Sequence, residues 1–172
     1  MKIRTIGFLA TLLLSVSVQA QVDSERLARL SNDIGDKIEK KLPGWAHRSI
    51  QPIDGSKNVV IQQWDSANIG IKLVITEYDD QADAGRALKE FRSQLKIEED
   101  ATTGKTSRNS RLLRDDLPDL GDGGFTWDIR GSEATVFRKQ KLLVFVSIAW
   151  PQSDHDEKLS KEFAERVVEV LR

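Results

Sequence analysis

The chain has no cysteine and two histidines in 172 residues. It therefore has no disulfide to staple it, no thiolate nucleophile and no thiolate ligand for a metal. Charge of one sign is also missing. Lys and Arg number 26 against 27 Asp and Glu, for a formal net charge of −1. That balance offers no broad attraction to nucleic acid or to an anionic lipid surface. After the first twenty residues there is no run of about 18 apolar residues, so no later segment is predicted to span a membrane. The nucleophile elbow G-x-S-x-G and the zinc motif H-E-x-x-H are both absent. Gly104-Lys105-Thr106 ends like a phosphate-binding loop, but Glu99 stands where that loop needs glycine.

What is present begins with residues 1–20. Met1-Lys2-Ile3-Arg4 is a basic head, Ile6 to Val18 is apolar, and Val18-Gln19-Ala20 has the small-residue form of a cleavage site. This order predicts a secretory signal peptide cut after Ala20. Gln21 is not a lipid-accepting cysteine, so export to the periplasm or the medium is expected rather than lipid anchoring. Export removes ATP-, GTP- and genome-dependent chemistry from consideration. Residues 21–172 have the length of one domain, which buries roughly 70% of its unfolded surface without staples.

Leu27, Leu30, Ile34 and Ile38 recur at helical spacing and predict a helix from Asp23 to about Lys41, stopped by Pro43-Gly44. Extended segments follow at Trp45–Ile53 and Val59–Asp65. Ile69, Ile71, Leu73 and Ile75 then alternate with Gly70, Lys72, Val74 and Thr76, a strand with one buried face. A second helix runs from Asp79 or Asp80 to about Leu95, with a stripe of Ala84, Leu88, Phe91 and Leu95. Residues 98–111 are polar and aperiodic and predict a mobile loop. Strands are expected at Phe125–Arg130, Ser132–Arg138 and Leu142–Trp150. Leu142-Leu143-Val144-Phe145-Val146 is apolar on both faces, so its strand should be central. Asp154-His155-Asp156-Glu157 has the form of a capping box before a last helix carrying Leu159, Phe163 and Val167. The predicted class is α+β, a single mainly antiparallel sheet with packed helices, in the order α-β-β-β-α-β-β-β-α.

Leu117-Pro118-Asp119-Leu120-Gly121-Asp122-Gly123-Gly124, then Ala134-Thr135-Val136-Phe137-Arg138-Lys139-Gln140, then an apolar strand and a closing helix, resembles a pattern of bacterial secreted domains. Extracytoplasmic sensor-type domains and lipoproteins of the Mog1/PsbP-like fold are similar in layout. The resemblance covers the last third by motif and the rest by element order. It implies a binding, sensing or assembly module and carries no catalytic residues across.

Four tryptophans stand out. Trp64-Asp65 and Trp127-Asp128 pair an aromatic platform with an acceptor, as sites for sugars and peptides do. The competing reading is that these large rings lock the core. Lys72 lies opposite the apolar face of a strong strand and suits an anionic ligand, or else snorkels from a half-exposed face. Lys105 and Arg108 make the 98–111 loop basic. Asp115, Asp116, Asp119 and Asp122 form an acidic cluster whose spacing does not fit a calcium loop. His47 and His155 are too isolated to predict a metal site, and no cofactor is expected. The candidate ligand-binding residues are therefore Trp64, Trp127, Lys72, Lys105 and Arg108. The expected function is a non-enzymatic binding module of the bacterial cell envelope, with an envelope protein or a small ligand as partner. The alternative is an envelope hydrolase acting on a glycan or peptide through carboxylates.

Overall fold

The structure is a computed structural model that describes residues 24–50, 56, 58–103, 110–114, 117, 120–129, 132–149 and 157–171. The leader at 1–20, the capping box at 154–156 and most of the acidic cluster lie outside these residues.

Helix α1 spans Ser24–Glu39. Leu27, Ile34 and Ile38 are sealed on one face, and Gly44, at φ +83°, turns the chain away after the last turn. Strands β1 (Ala46–Ile50), β2 (Val59–Asp65) and β3 (Gly70–Glu77) form an antiparallel meander. Helix α2 spans Gln81–Thr103. Asp80 caps it, its Oδ1 accepting the Asp83 N–H at 2.8 Å. A second meander follows, with β4 (Ser110–Arg114), β5 (Gly124–Ile129), β6 (Ser132–Lys139) and β7 (Leu142–Ala149). Helix α3 spans Glu157–Val170.

The two meanders join through β3 and β7 into one seven-stranded antiparallel sheet of order β1-β2-β3-β7-β6-β5-β4. The expected α+β architecture and element order hold, with β4 added at one edge. The loop expected at 98–111 is corrected. Helix α2 continues to Thr103 and β4 starts at Ser110. Lys96 to Ala101 contains good helix formers, whose intrinsic preference extends a helix without an apolar stripe. The mobility expected of 104–109 falls outside the described residues.

The helices divide between the two faces of the sheet. On the first, α1 and α3 bury Trp64, Ile71, Leu73, Ile75, Val144, Val146 and Ile148 with Leu27, Ile34, Phe163 and Val167. On the second, α2 lays Ala84 and Phe91 over Val74, Phe125, Trp127, Val136 and Phe145. Strand β7 is apolar on both sides because it is covered on both sides, as expected. Strand β3 departs from one-sided burial. Val74 and Thr76 are sealed beneath α2, so only its first half has an open face.

Buried Glu77 ties the layers together at the end of β3. Its Oε1 receives Arg26 from α1 and the Lys141 Nζ at 2.7 Å. Next to it, Tyr78 is the chain's one tyrosine. Burial, helped by the Glu90 charge, pushes its phenol up to about 12. The phenol is thus protonated more readily in the folded state than in the unfolded one. Its contribution to stability is complete below pH 10 and is lost as pH rises from 10 through about 12. An alkaline absorbance titration is expected to show no tyrosinate transition at the ordinary phenol value. Ionisation should come near pH 12 or with unfolding, and a midpoint at 10 in folded protein would place Tyr78 at the surface.

Candidate functional site

The second face of the sheet is only partly occupied by α2, and the strand register assigns its open part. Residues directly opposite in antiparallel strands share a face. Arg48 pairs with Gln63, Gln63 with Lys72, and Lys72 with Ser147, so one polar row crosses β1, β2, β3 and β7. The row continues through Ala134 to Trp127 beneath α2. A parallel row holds Asp65, Gly70, Ala149 and Ser132. Lys72 thus rises from a floor of small side chains. Phe145 and Trp127 stand on the α2 side of it and Arg48, Gln63 and Asp65 on the other.

The polar groups around Lys72 are paired among themselves. Gln63 Nε2 donates to Asp65 Oδ1 at 2.8 Å, and Arg48 Nη2 lies 3.2 Å from Asp65 Oδ2. A Cβ at Gly70 would sit 3.3 Å from Asp65 Oδ1, so glycine leaves the carboxylate room to lie along the row. Lys72 makes no hydrogen bond or ion pair with any described residue. It is half-buried and its Nζ is not sealed from solvent. Burial without a counter-charge lowers its pKa below the ordinary 10.5. The site is an amine held in the middle of a rigid sheet, open to solvent and, among the described residues, without a carboxylate of its own.

Of the other expected site residues, the structure brings none to this place as a ligand platform. Trp64 is 0% exposed and on the opposite face. His47 stacks on it at 4.8 Å and Phe163 meets its edge at 5.2 Å. Trp127 shares the Lys72 face but is 2% exposed, packed against Phe91 at 5.3 Å, Phe125 at 5.6 Å and Phe145 at 5.8 Å. Both rings are core, as the competing reading held, because helices cover the faces that polar neighbours seemed to leave open. Lys105 and Arg108 lie outside the described residues.

The Gly121–Gly124 turn is an internal clasp on the β6–β7 hairpin. Asp122 N–H donates to Arg138 O at 2.7 Å, and Arg138 N–H donates to Gly123 O at 2.9 Å. The Asp122 carboxylate accepts Gln140 N–H at 2.6 Å, where the backbone turns through φ +52°, and pairs with Arg138. That accounts for the Leu-Gly-Asp and Arg-strand pattern without a ligand. No group of three or more metal-binding side chains occurs among the described residues. His47 instead bonds Glu39 through Nδ1.

Arg48, Gln63 and Ser147 were not singled out from the sequence, and Asp65 was read only as the acceptor beside Trp64. Two signals were available: the Gln62-Gln63 pair inside an apolar strand, and Ser147 interrupting the apolar run of β7. Only the register shows that Gln63 and Ser147 flank the same lysine. Gln62 faces the other way and donates to Ser31 O at 2.5 Å.

No protein-family model matches the chain, and no curated protein does. Among solved structures, a GTP binding regulator from Thermotoga maritima aligns over 81% of this chain and 85% of its own, at 14% identity and a TM-score of 0.43. A likeness that loose carries no argument about fold or activity. No described helix is long and apolar enough to cross a membrane.

Proposed function

We propose that the chain is a secreted or periplasmic binding module of the bacterial cell envelope, non-enzymatic, which takes an anionic group at Lys72. Export rests on the leader pattern of residues 1–20, and the layout resemblance to secreted binding and sensing domains points the same way. The observation that carries the site is the half-buried Lys72 amine, unpaired among the described residues, on its floor of small residues. A desolvated cation without a counter-ion destabilises its own fold, and a bound carboxylate or phosphate relieves that cost. A hydrolase working through carboxylates draws no support from these two rows. Their one described carboxylate, Asp65, is held by Arg48 and Gln63, whereas glycoside hydrolysis uses two facing ones.

Titrating inorganic phosphate and acetate is expected to shift the amide resonances of residues 70–72 and Ser147 and few others. Lys72→Met should abolish those shifts while raising the denaturation midpoint at neutral pH. The sign follows from the lowered pKa. Between that value and 10.5 the unfolded chain binds more protons than the folded one, so wild-type stability climbs through this alkaline window. The methionine variant, with no amine to neutralise, should lack the climb. Unchanged anion shifts in Lys72→Met would overturn the site.

A further inference from the structure

We propose that Lys72 is also a covalent capture site for small aldehydes, its Nζ acting as the nucleophile. An amine attacks a carbonyl only when it carries a free lone pair, is not tied up as one half of an ion pair, and can be approached. The sheet supplies these conditions together. The nearest described carboxylate, Asp65, is taken up by Arg48 and Gln63, so nothing described holds Lys72 as an ammonium ion. Gly70 and Ala149 flank it in the next row with no side chain beyond Cβ, and the Nζ is not sealed from solvent. Its backbone is held by ladders on both sides, to β2 and to β7, so the side chain rises from a rigid base. Partial burial favours its neutral form as well.

The step balances without a further reactant. The Nζ lone pair forms a C–N bond to the aldehyde carbon, giving a carbinolamine. The carbonyl oxygen then leaves as water, taking both amine protons, and a C=N bond remains. Ser147 and Gln63, the cross-strand neighbours of Lys72, place a hydroxyl and an amide on either side of the amine. These are the groups available to hydrogen-bond the carbinolamine hydroxyl before it leaves. This capture uses the proposed anion site's side chain but does not require that an anion bind there.

The test is reductive trapping. The chain is treated with limiting acetaldehyde, or with glyoxylate, which carries a carboxylate beside its aldehyde. Borohydride reduces the imine, and peptide masses locate the label. Lys72 is expected to be labelled about tenfold more than exposed Lys37 and Lys89 in the same sample. Glyoxylate should exceed acetaldehyde in that preference, and Lys72→Arg should remove the labelled peptide while leaving the near-ultraviolet dichroism unchanged. Labelling of Lys72 no faster than of Lys37 and Lys89 with either aldehyde would overturn the capture site. Excess phosphate separates the two proposals. Protection supports a shared site, whereas strong labelling without protection leaves the capture site standing and overturns the anion site.

Discussion

Replacing Trp64 with alanine is expected to lower the unfolding free energy by about 3–5 kcal/mol, the usual cost of emptying a buried aromatic site. The ring is 0% exposed and sits where three elements meet. It rises from β2, lies parallel to the His47 ring on β1 at 7°, and takes the edge of Phe163 from α3. Removing it strips the contacts of two rings at once, and the backbone of β2, paired on both sides, cannot collapse into the space. Chemical denaturation should show a lower midpoint with an unchanged slope. Trp64→Phe, which keeps an aromatic ring at the site, should lose less than half as much. A loss under about 1 kcal/mol for the alanine variant would mean that the ring is at the surface and available as a ligand platform.

Gly121→Ala is expected to cost roughly 2–4 kcal/mol, from two separable sources. The residue has φ +68°, a left-handed conformation that an L side chain adopts at a cost of about 1–2 kcal/mol. The added Cβ would also lie 2.2 Å from Arg138 O, a backbone atom held in the β6–β7 hairpin. Gly44 is the internal reference. It has φ +83° with open space around its missing side chain, so Gly44→Ala carries the conformational cost alone. The difference between the two variants measures the clash. Gly121→Ala should also weaken the Asp122 clasp, seen as faster exchange of the Gln140 amide that Asp122 accepts. Equal losses at the two glycines would show that the turn stands off the hairpin.

Local pattern accounts for the elements and for much of the core. The 3-4-4 spacing of Leu27, Leu30, Ile34 and Ile38 is a property of one helix face. The two-sided apolar run of β7 can be satisfied only by a central strand, and β7 is central. Lys72 could be placed opposite Ile71 and Leu73 because strand periodicity needs no knowledge of partners. Strand β4 escaped because five residues at a sheet edge bury too little to leave an alternation in the sequence.

What covers each face of the sheet was decided only in three dimensions. Trp64 and Trp127 have similar polar neighbours along the chain, yet α1 and α3 seal one and α2 seals the other. Helix–sheet contacts join residues far apart in sequence, and no local period encodes them. The candidate site has the same origin. Arg48, Gln63, Lys72 and Ser147 are spread over β1, β2, β3 and β7, and it is ladder register that sets them in one row. A one-residue slip would turn Gln63 or Ser147 to the other face. Strand periodicity alone puts Lys72 opposite the apolar face of its strand. Its small neighbours, its lack of a described carboxylate partner and its path to solvent follow instead from which strands pair and where α2 stops covering them, and neither is written in any local stretch of chain.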